Sequence, residues 1–221
     1  MKLKNVAILV AVLVVLDQAL KIWIKTHLCI DEAIEVFPWF QLRFVENNGA
    51  AFGMQIANMG GFDWGKLLLS LFRMVMIALL GYYIYYLSRK RKEMPKGVFV
   101  GLAMIFAGAL GNLLDSLFYG LIFTQSTPLS VATFGEGYGS FLMGKVVDMF
   151  YFPLVEWNWP DWLPIIGGNH FIFFSPIFNF ADACISCGVI AILLFYGRCM
   201  NWGTEGPESE KAVVNEKKSR K

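Results

Sequence analysis

Histidine is nearly absent from this 221-residue chain: His27 and His170 are the only two, and neither has a partner at metal-ligand spacing. No serine or cysteine stands in an apparent arrangement with a histidine base, so covalent acyl chemistry lacks its usual parts. Cysteine is scarce as well. Cys184 and Cys187 form a lone CxxC inside an apolar run, where small apolar packing is a better explanation than redox chemistry or zinc. Cys29 and Cys199 are expected on opposite sides of a membrane and cannot pair. Charge is sparse too, at 16% of residues against 57% hydrophobic, with a mean hydropathy of +0.54. This balance describes one compact domain made largely for a bilayer.

Four segments are long and apolar enough to cross a hydrocarbon core of ~30 Å, which takes roughly 20 helical residues. They run approximately over 5–24, 66–87, 97–117 and 177–198. The first resembles a secretory signal peptide, but no small-x-small cleavage site follows its apolar region, and it reads as a retained helix. Positive charge precedes span one (Lys2, Lys4), lies between spans two and three (Arg89 to Lys96) and follows span four from Arg198 onward. Both termini are therefore expected in the cytoplasm. The two remaining connections, about 25–65 and 118–176, face outward. The chain is expected to form a single membrane domain over 1–200 followed by a charged, disordered cytoplasmic tail over 201–221.

Helix rise converts position into depth. At ~1.5 Å per residue, Asp17 lies ~20 Å above Lys4, Asn112 and Asp115 lie ~24 and ~28 Å above Lys96, and Asp182 lies ~24 Å above Arg198. Polar groups from three helices thus converge near the outer edge of the hydrocarbon. Asn112 with Asp115, and Asn179 with Asp182, are each spaced i,i+3 and share a helix face. Helix capping alone accounts for Asn179, which follows "SPIF" at a helix entry. It does not account for the whole set, because intramembrane carboxylates are costly and mark function. Asp148, in the apolar stretch "GKVVDMFYF" of the second outer connection, is either a further member or an ordinary loop charge.

Two carboxylates held close together cannot both ionise comfortably: one keeps a proton while the other acts as base on a water molecule. That is the logic of aspartic proteolysis. A competing reading is a small proton-coupled transporter that uses the carboxylates as a relay, but such proteins carry internal repeats or broken helices with a site near the midplane. No such repeat is present. An enzyme acting on lipid head groups would need metal ligands or a phosphate-binding constellation, and neither is evident.

Five strings in order carry a family likeness: "LDQALKIW" at 16–23, "ENNGAAFG" at 46–53, "GNLLD" at 111–115, "VVD" at 146–148 and "FNFAD" at 178–182. Together they resemble the motifs of lipoprotein signal peptidase, or signal peptidase II, from about residue 5 to 198. The resemblance implies a mainly α membrane protein with four transmembrane helices and a small β-rich cradle with a helix in the first outer connection; the loops expected on the outer face are extended in this chain. It implies an aspartic, metal-independent endopeptidase of the bacterial inner membrane. This enzyme cuts prolipoproteins just before the diacylglyceryl-modified cysteine. Asp148 and Asp182 fall on the catalytic pair. Asp17, Asn47, Gly49, Asn112, Asp115 and Asn179 fall on positions that support the site or hold substrate. The stretch "AIEVFPWFQLRFVENNGAAFGM", 33–54, fits strands ending in a Gly-containing turn. Expected partners are diacylated prolipoproteins and membrane lipids, without nucleic acid or cofactor, and the chain is expected to act as a monomer.

The sequence departs from that family in two places. Ser116 stands where the family usually has Arg, and Arg73, ~24 Å above Arg89, reaches the same depth. Arg73 is therefore expected to supply charge by pairing with Asp115 or a substrate oxygen, unless its head simply snorkels to the interface. The second departure is length: 118–147 and 149–176 are extended. Trp157, Trp159 and Trp162 in the latter suit an interfacial belt, an added lid, or plain packing.

Overall fold

The computed structural model describes residues 1–48, 58–59, 62–90, 94–165, 167–173 and 176–197. Helices dominate. The first, α1 (Leu3–His27), and the second, α2 (Trp64–Lys90), are 25 and 27 residues long. The third begins as α3 (Lys96–Leu114), widens into a π turn over Asp115–Tyr119 and closes with α4 (Gly120–Ile122). These three runs are long and apolar enough to cross a membrane, and α5 (Phe180–Tyr196) is a shorter apolar helix of 17 residues.

Burial separates their roles. More than half (56%) of the apolar window of the third run is buried, against 17% for α1 and α2, so α3 is the central helix. Leu68, Phe72, Val75 and Leu79 recur at helical spacing along the open face of α2, where lipid tails take the place of a protein partner. Between helices in lipid the hydrophobic gain is small, and close backbone approach replaces it. Glycine permits that approach where α3 meets α5. A Cβ on Gly108 would lie 2.2 Å from the Ala181 carbonyl oxygen, and one on Gly188 would lie 2.6 Å from that of Gly101.

Strands build the part of the protein beside the helices. A four-stranded antiparallel sheet has the order β1-β2-β5-β8: β1 (Ala33–Phe37), β2 (Phe40–Asn47), β5 (Val146–Tyr151) and β8 (Ile177–Phe178). Two small hairpins, β3 (Asn58–Met59) with β4 (Phe62–Asp63) and β6 (Val155–Asn158) with β7 (His170–Phe173), complete it. Stacked rings of Trp39, Phe40, Phe152 and Phe178 run across the large sheet.

Several boundaries differ from expectation. The fourth span starts at Phe180, not 177, because Ile177 and Phe178 pair with Tyr151 and Phe150 and Asn179 caps the helix. The two long strands of 33–54 turn at Pro38-Trp39, without glycine. Their expected Gly-containing end lies outside the described residues. The helix expected in that connection finds no counterpart among its described residues, and 49–57 lie outside them. The tail over 201–221 and Cys199 also lie outside the described residues. Trp157 packs edge-on against Trp159 at 5.4 Å, whereas Trp162 is 78% exposed.

Candidate active site

Three elements meet at one place: the Asp17–Lys21 turn of α1, the α3 to π-turn junction, and the start of α5. Asn179 makes the last of these. As N-cap of α5, its Oδ1 accepts from the Asp182 N–H at 2.9 Å, while Asp182 Oδ2 accepts from the Asn179 N–H at 3.4 Å. This is a capping box with Asp in the third position. Because Oδ1 is engaged there, the Asn179 amide NH2 points away from the helix. It donates to Asp148 Oδ1 at 2.6 Å and to Asn112 Oδ1 at 3.2 Å. Asn179 is thus both the cap and the bridge.

Asn112 is oriented by the same reasoning. Lys21 has only donors, and its Nζ lies 2.8 Å from Asn112 Oδ1. The Asn112 NH2 therefore faces α5 and donates to Asp182 Oδ1 at 2.8 Å. A continuous chain of hydrogen bonds runs Asp148, Asn179, Asn112, Asp182.

Asp148 enters from β5, whose β-branched "VV" start and aromatic end suit a buried central strand. Antiparallel pairing sets Val45 opposite Asp148 and Asn47 opposite Val146, which brings the Asn47 NH2 to 3.3 Å from Asp148 Oδ2. The Asp148 side is closed, with 4% exposure, and Asp182 is only half-buried. Burial first, and the nearby Asp182 charge second, push the Asp148 carboxyl up to about 7. Hydrogen bonds from Asn179 and Asn47 oppose that rise without cancelling it.

Asp17 and Asp115 lie behind this group, and both are fully buried. Lys21 joins them, at 3.0 Å from Asp17 Oδ2 and 2.7 Å from Asp115 Oδ2. Asp17 also accepts the Ala181 N–H at 2.9 Å, satisfying a first-turn donor of α5 from a different helix. Asp115 accepts from Gln18 Nε2 at 2.9 Å and from the Val147 N–H at 3.4 Å, so it touches the strand that carries Asp148. Gly111 leaves the space required: a Cβ there would sit 2.4 Å from Asp17 Oδ2.

Of the two partners expected for Arg73, Asp115 is taken by Lys21. The Arg73 guanidinium donates instead to Ser116 Oγ at 3.3 Å, and its charge acts on Asp182, Asp115 and Asp148. Gly49 lies outside the described residues. Sequence reasoning missed Lys21 as the cation of the site. Its signal was available in "LDQALK", where Asp17 and Lys21 are spaced i,i+4 on one helix.

An apolar helical bundle that gathers its carboxylates and amides at one end has the overall form of a membrane enzyme. It is similar to a solved bacterial membrane enzyme with a TM-score of 0.55 and 22% identity, covering 92% of this chain and 94% of that one, a likeness that shows the fold. The family model for signal peptidase (SPase) II matches residues 9–197. Lipoprotein signal peptidase of Porphyromonas gingivalis is 45% identical over 210 residues, covering 93% of this chain and 88% of that protein. That of Amoebophilus asiaticus is 34% identical over 184 residues, covering 82% and 72% respectively. The chain belongs to the signal peptidase II family, and its activity is removal of the signal peptide from prolipoproteins. Nothing in the fold or the comparisons supports the transporter reading.

Proposed function

We propose that the chain is an aspartic, metal-independent endopeptidase in which Asp148 and Asp182 are the catalytic pair. The substrate is a diacylglyceryl-modified prolipoprotein, cut on the N-terminal side of its lipidated cysteine. The observation that carries this reading is the Asp148, Asn179, Asn112, Asp182 hydrogen-bond chain, which ties two carboxylates from different elements into one unit. Asp148 holds its proton into the neutral range and is the acid at rest. Asp182, the more open of the two, takes a proton from water as the water oxygen attacks the scissile carbonyl. Asp148 gives its proton to the developing oxyanion. Collapse of the tetrahedral intermediate breaks the C–N bond, with Asp182 passing its proton to the leaving amine of the cysteine and a hydroxyl proton of the intermediate returning to Asp148.

The other polar groups position this pair. Asn179 and Asn112 orient both carboxylates, Asn47 holds the second oxygen of Asp148, and Lys21 pairs with Asp17 and Asp115 as the foundation of α5 and β5. Arg73, lying over Ser116, offers a cation to a substrate oxygen. In this reading both termini lie in the cytoplasm and the site at the outer edge of the inner membrane, where the lipid anchor holds the substrate bond. Action as a monomer is part of the same reading.

The test is cleavage of a diacylated prolipoprotein peptide by purified protein in detergent with chelator present. Wild type should cut, and Asp148→Asn and Asp182→Asn should each lose at least ~10³-fold in turnover while folding normally. Near-normal turnover in either folded variant, or loss of wild-type activity to the chelator, would overturn the assignment.

A further inference from the structure

A second buried ion cluster lies on the opposite face of the sheet from the site. Lys25, one helical turn after Lys21, is completely buried, and its Nζ sits over the rings of Tyr138, Phe123 and Phe44 at 5.1, 5.4 and 5.8 Å. It pairs with Glu46 Oε1 and donates to Ser126 Oγ at 2.9 Å, and the Ser126 hydroxyl donates to Glu46 Oε1 at 2.9 Å. Lys145 Nζ forms an ion pair with Glu46 Oε2 at 3.2 Å. Burial alone would raise the Glu46 carboxyl, but the charges of Lys25 and Lys145 outweigh it and hold the group below its ordinary range.

Strand alternation links this cluster to the chemistry. Glu46 is paired with Val147, and its neighbours Val45 and Asn47 are paired with Asp148 and Val146. Side chains alternate across a sheet, so Glu46 and Val147 face α1 while Asn47 and Asp148 face the site. A slip of one residue exchanges the two faces: it turns Glu46 toward the site and leaves Lys25 enclosed by aromatic rings without its counter-charge. β2 already carries a register shift between Leu42 and Val45, next to the pairs that matter.

Four of the cluster's groups, Phe123, Ser126, Tyr138 and Lys145, belong to the extended segment 118–147. That segment is tied down along its length: the Ile30 N–H donates to the Thr127 carbonyl at 3.1 Å, the Lys145 N–H to Tyr138 Oη at 2.7 Å, and the Gly144 N–H to the Ser116 carbonyl at 2.9 Å. It delivers the chain directly into β5 at Val146.

We propose that Lys25, Glu46, Ser126 and Lys145 are positioning residues for peptide cleavage: their buried ion cluster locks the β2–β5 register that sets Asn47 against Asp148, and the extended 118–147 segment closes the lock. The inference rests on the catalytic assignment of Asp148. The segment is then part of the positioning machinery, not an appendage beside it.

The test compares four proteins in the same cleavage assay. The Lys25→Met/Glu46→Leu double variant replaces the ion pair with apolar side chains of similar volume, which preserve folding in other buried pairs. Its thermal midpoint in detergent should stay near wild type while kcat falls ~10–100-fold, KM changes little, and the alkaline limb of the kcat profile set by Asp148 moves. A merely structural pair would not move that limb. Ser126→Ala removes the hydroxyl by which the segment bonds both members of the pair, with minimal disturbance and with the Lys145 ion pair left in place, so it decides the question if the double variant fails to fold. It should lower kcat severalfold at unchanged KM. Wild-type kcat and pH profile in a folded double variant, or wild-type kcat in Ser126→Ala where the double variant does not fold, would overturn the proposal. Asp148→Asn is the fourth protein: if it stays active, the catalytic assignment itself fails, whereas an inactive Asp148→Asn beside a fully active double variant defeats only the register lock.

Discussion

The two ends of the helical bundle are held by different forces. Around Leu87, Val98, Phe99, Leu102 and Ala103 the core is wholly apolar, and α3 meets α5 through glycines. At the other end lie the buried polar and charged side chains of the described residues, including Asp17, Lys21, Lys25, Asn112, Asp115, Asp148 and Asn179. Lipid gives apolar helices little reason to associate beyond close fit, so the first end depends on volume. Charges away from water must satisfy one another, so the second depends on complete pairing. Volume errors should be costly at one end and charge errors at the other.

The strongest way to break this contrast is Lys21→Met. It leaves Asp17 and Asp115 buried together without their cation, and the loss is expected at ~3–5 kcal/mol, lowering Tm in detergent by on the order of 10 °C. An unchanged Tm would mean that the two carboxylates do not depend on Lys21.

Next in size is the pH dependence of Asp148. Its folded value, about 7, stands above the ordinary ~3.9, so its contribution favours the fold while the group is protonated. That contribution is complete below pH ~4 and is lost as pH rises through about 7, a change of at most ~4 kcal/mol. Wild-type Tm should therefore fall between pH 5 and pH 8 relative to Asp148→Asn, and wild-type turnover should decline above pH ~7 as the resting acid ionises. Parallel Tm curves for the two proteins would remove the electrostatic penalty from the account.

The apolar end is probed by glycine. Gly188→Ala forces a Cβ against the Gly101 carbonyl and should cost ~1–3 kcal/mol, whereas Gly197→Ala, with nothing within 4 Å, should stay within ~0.5 kcal/mol. Equal effects in thermal unfolding would show that close approach of α3 and α5 is not what holds that end together. Arg73→Gln should have the smallest effect: Tm unchanged and turnover reduced severalfold, about 1 kcal/mol in barrier. Unaltered turnover would reduce Arg73 to a side chain that merely reaches the interface.

Much of this arrangement was readable one residue at a time. Apolar runs mark the helices, and "NFAD" contains its own capping box because Asn and Asp three apart satisfy the first turn of whatever helix follows. That Asp17, Asn112, Asp115 and Asp182 meet at one level of the bundle follows from helix rise. Asp148 was harder, since "VVD" follows a long insertion and only pairing with β2 brings it beside Asn47. The start of α5 was misplaced by three residues because Ile177 and Phe178 are apolar enough to extend a span, and their capture by β5 is a long-range event.

The sequence by itself determined which segments are helical, which polar groups share a helix face, and how far along each helix those groups lie, because each depends on near neighbours and a fixed rise. The tertiary structure decided which charges meet. Lys21 and Lys25 differ by one turn on the same helix, yet one serves Asp17 and Asp115 behind the site and the other serves Glu46 on the far face of the sheet. Local sequence cannot choose between those partners, since the choice is made by strand register and by a segment a hundred residues away, where the cost of an unpaired buried charge admits a single arrangement.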